Sequence, residues 1–504
     1  MEKSVVDIIK SIKIIHIQGP ENTLVNSLIY DSRDVIQGSL FFALEGIHTD
    51  GHKYVEQALE KGATAVIHSQ ELAYYNPKIL YVKVPNTRKA LSPLASAFYD
   101  YPSQKLKVLG VTGTDGKSTT VNLCHQLLQL AGKKSGLIST VQFQIGDNIE
   151  KNALRQSTPE ASEIHKYLYQ MLENGKEYAV VESTSHGLAE SNNRLGDVDY
   201  DGVAYTNVTQ EHLEFHGTLE QYRKDKSRLF MFLDKSTNSE SFGVINLDDP
   251  HHELFKSATT HKVFSYSIKD SSADLFASLV KEDPSGTDLK IVWKGESSSC
   301  RLNIPQSFNV ENLLACLLLV SGILEINPLD LIPFVPNLEA VKGRMCPIKA
   351  GQDFHVIVDY AHTPGSFERV FPDVKNKTTG RLFLVFGSAG ERDLEKRPKQ
   401  GEIASRYADK IFLTDEDPRL EDSMKIIKDI QAGCPHLIEN EQIFLIPNRE
   451  EAFKKAFSLA RSGDTILLLG KGHESNIIQK DGPHPWDEIE TAYSALASMG
   501  YTKS

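Results

Sequence analysis

A strand, a glycine loop and a helix in immediate succession constrain this chain more than any other stretch. The apolar run Val108-Leu109-Gly110-Val111 leads into Gly113-Thr114-Asp115-Gly116-Lys117-Ser118-Thr119. A helical pattern follows from about Thr120 to Ala131, where Gly132 supplies a stop. Such a loop turns backbone N–H groups and a helix N-terminus toward an anion. Lys117 adds a cation, and the hydroxyl of Ser118 or Thr119 can reach a phosphate-bound Mg²⁺. The stretch therefore predicts binding of a nucleotide triphosphate. The general pattern Gly-x-x-x-x-Gly-Lys-Ser/Thr places a glycine where this chain has Val111, and Asp115 puts a carboxylate where phosphates should sit.

At 504 residues the chain has room for about three domains. A hydrophobic share of 40% and a charged share of 24% are those of a soluble globular protein. The net charge of −12 argues against nucleic-acid binding through a basic surface, so no nucleic-acid partner is expected. Cys124, Cys300, Cys316, Cys346 and Cys434 are scattered without a Cys-x-x-Cys pair, which argues against structural zinc and a disulfide frame and for a reducing cytoplasm. Met1 to Gly19 mixes Glu2, Asp7 and lysines with isoleucines and lacks the apolar core of a signal peptide. The longest apolar run, Leu313 to Ile323, is too short to span a bilayer and reads as a buried helix, so no membrane association is expected.

The expected organisation is α/β throughout. Residues 1–105 read as a small α/β unit, with apolar runs at Leu40-Leu44, Ala63-Ile67 and Ile79-Val84, a helix near Tyr54-Lys61, and a linker at Tyr101-Pro102-Ser103. Residues 106–343 begin with the phosphate-loop strand and continue through β-like runs at Tyr178-Glu182, Gly202-Thr206, Gly243-Asn246 and Val263-Ser267. This predicts a mostly parallel sheet with covering helices. Short alternating strands follow from Ala273 to Leu302, then a long helix from about Val310 to Glu325. Residues 344–504 carry strands at Phe354-Asp359, Leu382-Phe386, Lys410-Leu413, Ile443-Ile446 and Thr465-Leu469 alternating with helices, a doubly wound, Rossmann-like plan.

Candidate chemistry sits at strand ends. Glu182 closes an apolar run, and a carboxylate there in a P-loop domain is placed to hold Mg²⁺ directly or through water. His212 and His216 form a His-x-x-x-His with acids nearby, but Gly217 follows at once and spoils the helix a zinc pair needs. Lys226, within Tyr222-Arg-Lys-Asp-Lys-Ser-Arg228, taken alone looks like a surface charge.

In order along the chain, Gly113-Thr-Asp-Gly-Lys-Ser-Thr119, Glu182-Ser-Thr-Ser-His186, Thr206-Asn207, Glu211-His212-Leu213, Phe308-Asn309-Val310-Glu311-Asn312, Gly343-Arg344-Met345, Asp359-Tyr-Ala-His-Thr-Pro364 and Gly470-Lys-Gly-His-Glu474 resemble the Mur ligases of bacterial cell-wall synthesis. Asp31-Ser32-Arg33, Asp50-Gly51-His52, Ser157-Thr158-Pro159-Glu160 and Gly470-Lys-Gly-His-Glu474 narrow the resemblance to the UDP-N-acetylmuramoyl-tripeptide synthetase branch, MurE. The short Gly-x-x-Gly-Lys-Ser/Thr loop is the Mur pattern, which accounts for Val111.

The resemblance implies a three-domain Mur ligase architecture: a UDP-binding domain, a central P-loop ATPase and a C-terminal Rossmann-like domain that brings an amino acid. It implies that ATP phosphorylates the terminal D-Glu carboxylate of UDP-N-acetylmuramoyl-L-alanyl-D-glutamate and that the amine of a diamino acid displaces the phosphate. Lys117, Lys226 and His212 would be catalytic. Gly113 to Thr119, Asn309, Arg344 and Asp359 would meet ATP. Ser118, Glu182, His212 and a carbamylated Lys226 would hold Mg²⁺. Ser32 and Arg33 would contact the UDP part, and Ser157, Thr158, Ser185 and Arg194 the muramoyl dipeptide. Arg194 lies somewhat further from His186 than family spacing sets it, and Pro305-Gln306-Ser307 stands where the family has a glycine before Phe308-Asn309. The expected protein is a cytoplasmic monomer.

The amino acid is the open choice. Glu416, Asp417, Arg419, Gly470 and Glu474 would bind it. Enzymes of the branch that add meso-diaminopimelate usually read Asp-Asn-Pro-Arg where this chain reads Glu416-Asp417-Pro418-Arg419. Arg419 favours a second carboxylate by bidentate pairing. Asp417 favours a bare distal amine, L-lysine or L-ornithine, by Coulomb attraction, unless it pairs with Arg419 and silences it. The basic diamino acid is the favoured expectation, with meso-diaminopimelate the alternative. A folylpolyglutamate synthase shares the ATPase and C-terminal plan but generally lacks the first domain. A nucleotide-binding switch would leave the Gly-Lys-Gly-His-Glu and Asp-Pro-Arg motifs without a task.

Overall fold

The computed structural model describes residues 1–46, 49–152, 158–209 and 213–502. Packing gathers the chain into two units, residues 1–267 with 315–328 and residues 268–314 with 329–504.

Beside the short antiparallel pair Lys3–Ser4 with Leu24–Val25, the first unit holds two larger sheets. The N-terminal one runs in the order His16–Gln18, Leu80–Lys83, Ala63–His68, Ser39–Phe42, Ser27–Ile29, parallel except for the first strand. Its inner strands are near-continuous apolar runs because both faces are covered. The helix Thr87–Phe98 packs Leu91, Leu94, Ala95 and Phe98 into the same core as Leu40, Phe42, Ile67 and Val82, and the Asn86 side chain caps it by accepting the Lys89 N–H. This helix goes beyond the sequence expectation, since Pro93 lies inside it and masks its period.

In the second sheet the phosphate-loop strand Lys107–Thr112 is flanked in parallel by Tyr178–Glu182 on one side and Gly202–Tyr205 on the other. Ser135–Ile138 extends it beyond the first neighbour, and Phe242–Asn246 and Lys262–Ser267 beyond the second. The register sets Glu182 opposite Val111 and Tyr205 opposite Thr112, so two strand ends border the loop. Gly110 has no side chain because a Cβ there would sit 2.6 Å from the Tyr200 ring. The helix after the loop, Lys117–Leu130, buries Val121, Leu123, Cys124, Leu127 and Leu128, and Gly132 stops it at φ +75°.

The second unit opens with an antiparallel meander, Leu275–Asp283, Gly286–Trp293 and Glu296–Leu302. Lys294 and Gly295, both at positive φ, make its second hairpin turn. The Rossmann-like sheet runs Cys346–Ile348, His355–Asp359, Thr465–Leu469, Leu382–Phe386, Lys410–Leu413, Ile443–Leu445, parallel except for its first strand. The helix Ser307–Leu324, whose residues from 315 on belong to the first unit, starts earlier than the apolar run suggests. It is long and apolar enough to cross a membrane by length and composition, and 67% of it is buried inside the protein.

Under the Rossmann-like sheet, Arg449 and Glu488 form an ion pair with both side chains buried. Arg449 Nε donates to Glu488 Oε2 at 2.9 Å, and its remaining nitrogens reach the Leu469 carbonyl at 2.6 Å and the Asp415 carbonyl at 3.1 Å. Trp486 Nε1 donates to Glu488 Oε2 at 2.7 Å. The pair thus ties the end of the strand Thr465–Leu469 to the segment that follows Lys410–Leu413. Removing one partner strands a buried charge, so Arg449→Ala is expected to destabilise this unit by about 3–5 kcal/mol. Urea unfolding followed by tryptophan fluorescence checks this, and an unchanged midpoint contradicts it.

Candidate active site

The phosphate loop is built by its backbone. Gly113 has φ +152°, and a Cβ there would lie 1.9 Å from Thr206 Oγ1. The Thr114 N–H donates to the Asn207 carbonyl at 2.7 Å and the Asp115 N–H to Asn207 Oδ1 at 3.0 Å. Thr206 Oγ1 donates to the Asp115 carbonyl at 2.6 Å. The Asp115 side chain is exposed, so this position serves the loop through its backbone. Gly116, left-handed at φ +83°, opens the helix that begins at Lys117, and Thr119 is buried one turn in.

Two ammonium groups converge on one carbonyl oxygen. Lys117 Nζ donates to Gly113 O at 3.0 Å and to Thr114 O at 2.7 Å. Lys226 Nζ donates to the same Gly113 O at 2.5 Å and lies 4.5 Å from the centroid of the Tyr222 ring. The reading of Lys226 as a surface charge is overturned, because it is 1% exposed. The helix Leu219–Met231 is rich in charge, yet its Tyr222, Asp225, Lys226, Leu229 face is buried. Tyr222 OH meets Thr114 Oγ1 at 3.1 Å.

Beside the loop, Glu182 is buried rather than a solvated strand end. Its Oε1 accepts from Ser118 Oγ at 3.0 Å and its Oε2 from the Thr140 N–H at 2.8 Å. A hydroxyl and a carboxylate are hard oxygen donors that suit Mg²⁺. His212 and Ser157 lie outside the described residues. Among the described residues no group of three or more His, Cys, Asp or Glu side chains gathers to hold a metal ion.

Thr158, Ser185 and Arg194 come together. Thr158 Oγ1 meets Thr184 Oγ1 at 2.7 Å, next to Ser185. Arg194 donates to the Thr158 carbonyl at 2.8 Å and pairs with Glu160 at 2.8 Å. Ser32 Oγ donates to Gln57 at 2.7 Å. Arg33 forks onto Asp31 at 2.6 Å with its own side chain 81% exposed, and this bond holds the Asp31 carboxyl below its usual range.

In the second unit the remaining candidates lie at the end of the strand His355–Asp359, in the loops after Lys410–Leu413 and Thr465–Leu469, in the helix Ser307–Leu324 and just ahead of Cys346–Ile348. Asp359 accepts from the Met345 and Ala361 N–H groups, both at 2.8 Å, which fixes its carboxylate beside Arg344. The Arg344 guanidinium sits 4.8 Å from the Tyr360 ring. Asn309 donates to the Pro305 carbonyl at 2.6 Å and accepts from Asn312 at 3.1 Å. Gly343 lies so close to the Gly472-His473 backbone that a Cβ would meet Gly472 C at 2.1 Å.

Asp417 does not pair with Arg419. Its Oδ1 accepts from Lys471 Nζ at 2.8 Å and from the Ile478 N–H at 2.9 Å. Lys471 is fully buried and also grips Glu474 at 2.5 Å, while Tyr360 OH reaches the other Glu474 oxygen at 3.3 Å. Arg419, at φ +55°, donates its N–H to the Ile478 carbonyl, and its Nε is buried without a hydrogen-bond partner. Glu416 is buried with Oε2 unpaired, close enough to Gly470 that a Cβ there would sit 3.1 Å away. Burial pushes the Glu416 carboxyl up to about 7. Lys471 and Tyr360 are further candidates that the motifs contain without revealing, because Lys471 meets Asp417 and Tyr360 meets Glu474 only in the folded chain.

Family models match across the chain: the Mur ligase family catalytic domain over residues 25–99, the Mur ligase middle domain over 111–320, and the Mur ligase glutamate ligase domain over 343–472. The UDP-N-acetylmuramyl-tripeptide synthetase of Borreliella afzelii (strain PKo) is 46% identical over 487 residues, 96% of each chain. That of Treponema denticola (strain ATCC 35405) is 44% identical over 526 residues, 99% of each chain. A solved UDP-N-acetylmuramoyl-L-alanyl-D-glutamate–2,6-diaminopimelate ligase superposes over 100% of both chains with a TM-score of 0.71 at 29% identity. With its three domains matched in order and its full length shared with such relatives, the chain belongs to the Mur ligase family.

Proposed function

We propose that this protein is a cytoplasmic, monomeric ligase that uses ATP to join a diamino acid to UDP-N-acetylmuramoyl-L-alanyl-D-glutamate in peptidoglycan synthesis. Two Lys ammonium groups meeting at Gly113 O, beside the Ser118–Glu182 pair, carry this reading. A carboxylate is a poor electrophile. Transfer of the γ-phosphoryl group to the D-Glu carboxylate oxygen releases ADP and makes an acyl phosphate. The diamino acid's amine then attacks the carbonyl carbon, loses a proton, and expels inorganic phosphate.

Bringing a carboxylate against a triphosphate opposes like charges, so the site must supply fixed positive charge. Lys117 does so from the start of the helix, whose N-terminus itself favours an anion. Ser118 and Glu182, with His212, are the residues that would hold Mg²⁺, which when bound neutralises phosphate charge. Lys226 repels Lys117 while both are ammonium groups, and conversion of the Lys226 amine to a carbamate by CO₂ would replace that repulsion with attraction. Ser32 and Arg33 serve the UDP part, and Thr158, Ser185 and Arg194 the dipeptide. Asn309, Arg344 and Asp359 serve the nucleotide.

For the amino acid, the unpaired buried oxygen of Glu416 favours a distal ammonium group and hence L-lysine or L-ornithine, with Glu474 taking the α-amino end. Lys471 neutralises Asp417, so Glu416 rather than Asp417 supplies the attraction. A second reading, meso-diaminopimelate, is favoured by the unpaired Arg419 Nε.

Offered each diamino acid separately with ATP, Mg²⁺ and the UDP-dipeptide, the enzyme is expected to release ADP fastest with L-lysine or L-ornithine; a wide preference for diaminopimelate overturns that choice. Lys117→Ala is expected to abolish turnover while the UDP-dipeptide still binds by calorimetry, and near-normal turnover would remove Lys117 from the mechanism. Glu416 is mostly protonated below its pKa of about 7 and charged above it. The KM for the basic amino acid should therefore carry a fall of about tenfold between pH 6 and pH 8 that Glu416→Gln lacks. Identical pH profiles for the two proteins contradict this role.

A further inference from the structure

Near the phosphate loop, Ser185 is joined by two buried side chains, His216 and Asp225, that none of the roles above uses. His216 Nδ1 lies 2.7 Å from Asp225 Oδ2, and His216 Nε2 lies 3.1 Å from Ser185 Oγ. Asp225 Oδ1 accepts from Gln221 Nε2 at 2.9 Å. The His216 side chain is completely buried, and Ser185 and Asp225 are nearly so. The three come from separate segments: the turn Ser185–Leu188, the turn Leu213–His216 and the helix Leu219–Met231. The imidazole is further walled by the Tyr222 ring at 5.0 Å and the Phe215 ring at 4.7 Å.

We propose that His216 is a positioning residue that sets the Ser185 hydroxyl toward the muramoyl dipeptide, with Asp225 fixing the imidazole. This rests on the reading of Ser185 as a dipeptide contact. The carboxylate beside Nδ1 keeps the proton on that nitrogen. In the neutral imidazole Nε2 then accepts the Ser185 hydroxyl proton. The serine oxygen is left with its lone pairs for a donor, which suits an amide N–H of the dipeptide rather than its carboxylate.

The helix carrying Asp225 makes this arrangement more than local. Tyr222, Asp225 and Lys226 stand three and four residues apart on one face. Tyr222 reaches Thr114, Lys226 reaches Gly113, and Asp225 reaches Ser185 through His216. One helix face thereby registers the dipeptide contact against the phosphate loop. Small displacements between reacting groups cost rate steeply, so such registration serves phosphoryl transfer.

The test is steady-state kinetics of the full-length enzyme with Ser185→Ala, His216→Ala, His216→Gln, Asp225→Asn and the Ser185→Ala/His216→Ala double variant. Ser185→Ala and His216→Ala should each raise the KM for the UDP-dipeptide by about tenfold, with the KM for ATP within about twofold of wild type. The double variant should be no worse than either single one, because the two act as a unit. His216→Gln, whose amide oxygen can still accept from Ser185, should recover part of the loss. If His216→Ala does not fold, His216→Gln and Asp225→Asn carry the same comparison. A Ser185→Ala effect with no His216 effect, or multiplying effects in the double variant, overturns the proposal while leaving the Ser185 contact intact. An unchanged KM in Ser185→Ala removes the contact itself, and the proposal with it. A covalent dipeptide adduct on Ser185 by mass spectrometry would show a nucleophile instead and also overturns it.

Discussion

The carbonyl oxygen of Gly113 is where the first unit's charge is organised. Gly113 can turn there only because it has no side chain, since Thr206 occupies the space a Cβ would need. Lys117 arrives from the following helix and Lys226 from a helix more than a hundred residues on, and both donate to that oxygen. Two cations held this close repel each other, and an anion relieves the repulsion. The parallel register that sets Glu182 and Tyr205 opposite the end of the loop strand brings Ser118, Glu182 and Thr206 around the same point. Strand pairing, glycine geometry and charge thus serve one feature.

The second unit shows a different balance. Acids and bases are matched there by burial: Lys471 between Asp417 and Glu474, Arg449 on Glu488. Each buried charge with a partner is fixed in place, whereas Glu416 Oε2 and Arg419 Nε are among the buried atoms that keep hydrogen-bonding capacity to offer.

Much of this was legible in the sequence. The strand–loop–helix around Gly113, the Rossmann-like strands and the carboxylate at Glu182 all announce themselves through apolar runs that end in chemistry-bearing residues. The motif order carried the family. What stayed hidden depends on partners far along the chain. Lys226 sits among Arg223, Lys224 and Arg228 and looks solvated until the helix is docked. Lys471 lies between two glycines with nothing nearby to suggest Asp417, and His216 resembles half of a metal motif until Asp225 and Ser185 approach it. The Thr87–Phe98 helix is obscured by Pro93, which tertiary packing tolerates. Local pattern reports local structure, while burial of a charge is a property of the assembled fold.

The most direct measurement follows one atom. With the D-Glu side-chain carboxylate of the UDP-dipeptide labelled with heavy oxygen, turnover through an acyl phosphate delivers one labelled oxygen into the released inorganic phosphate, which mass spectrometry detects. Label in the phosphate is the expected result. Phosphate free of label, with the tripeptide still formed, would contradict activation of the carboxylate at the Gly113 loop.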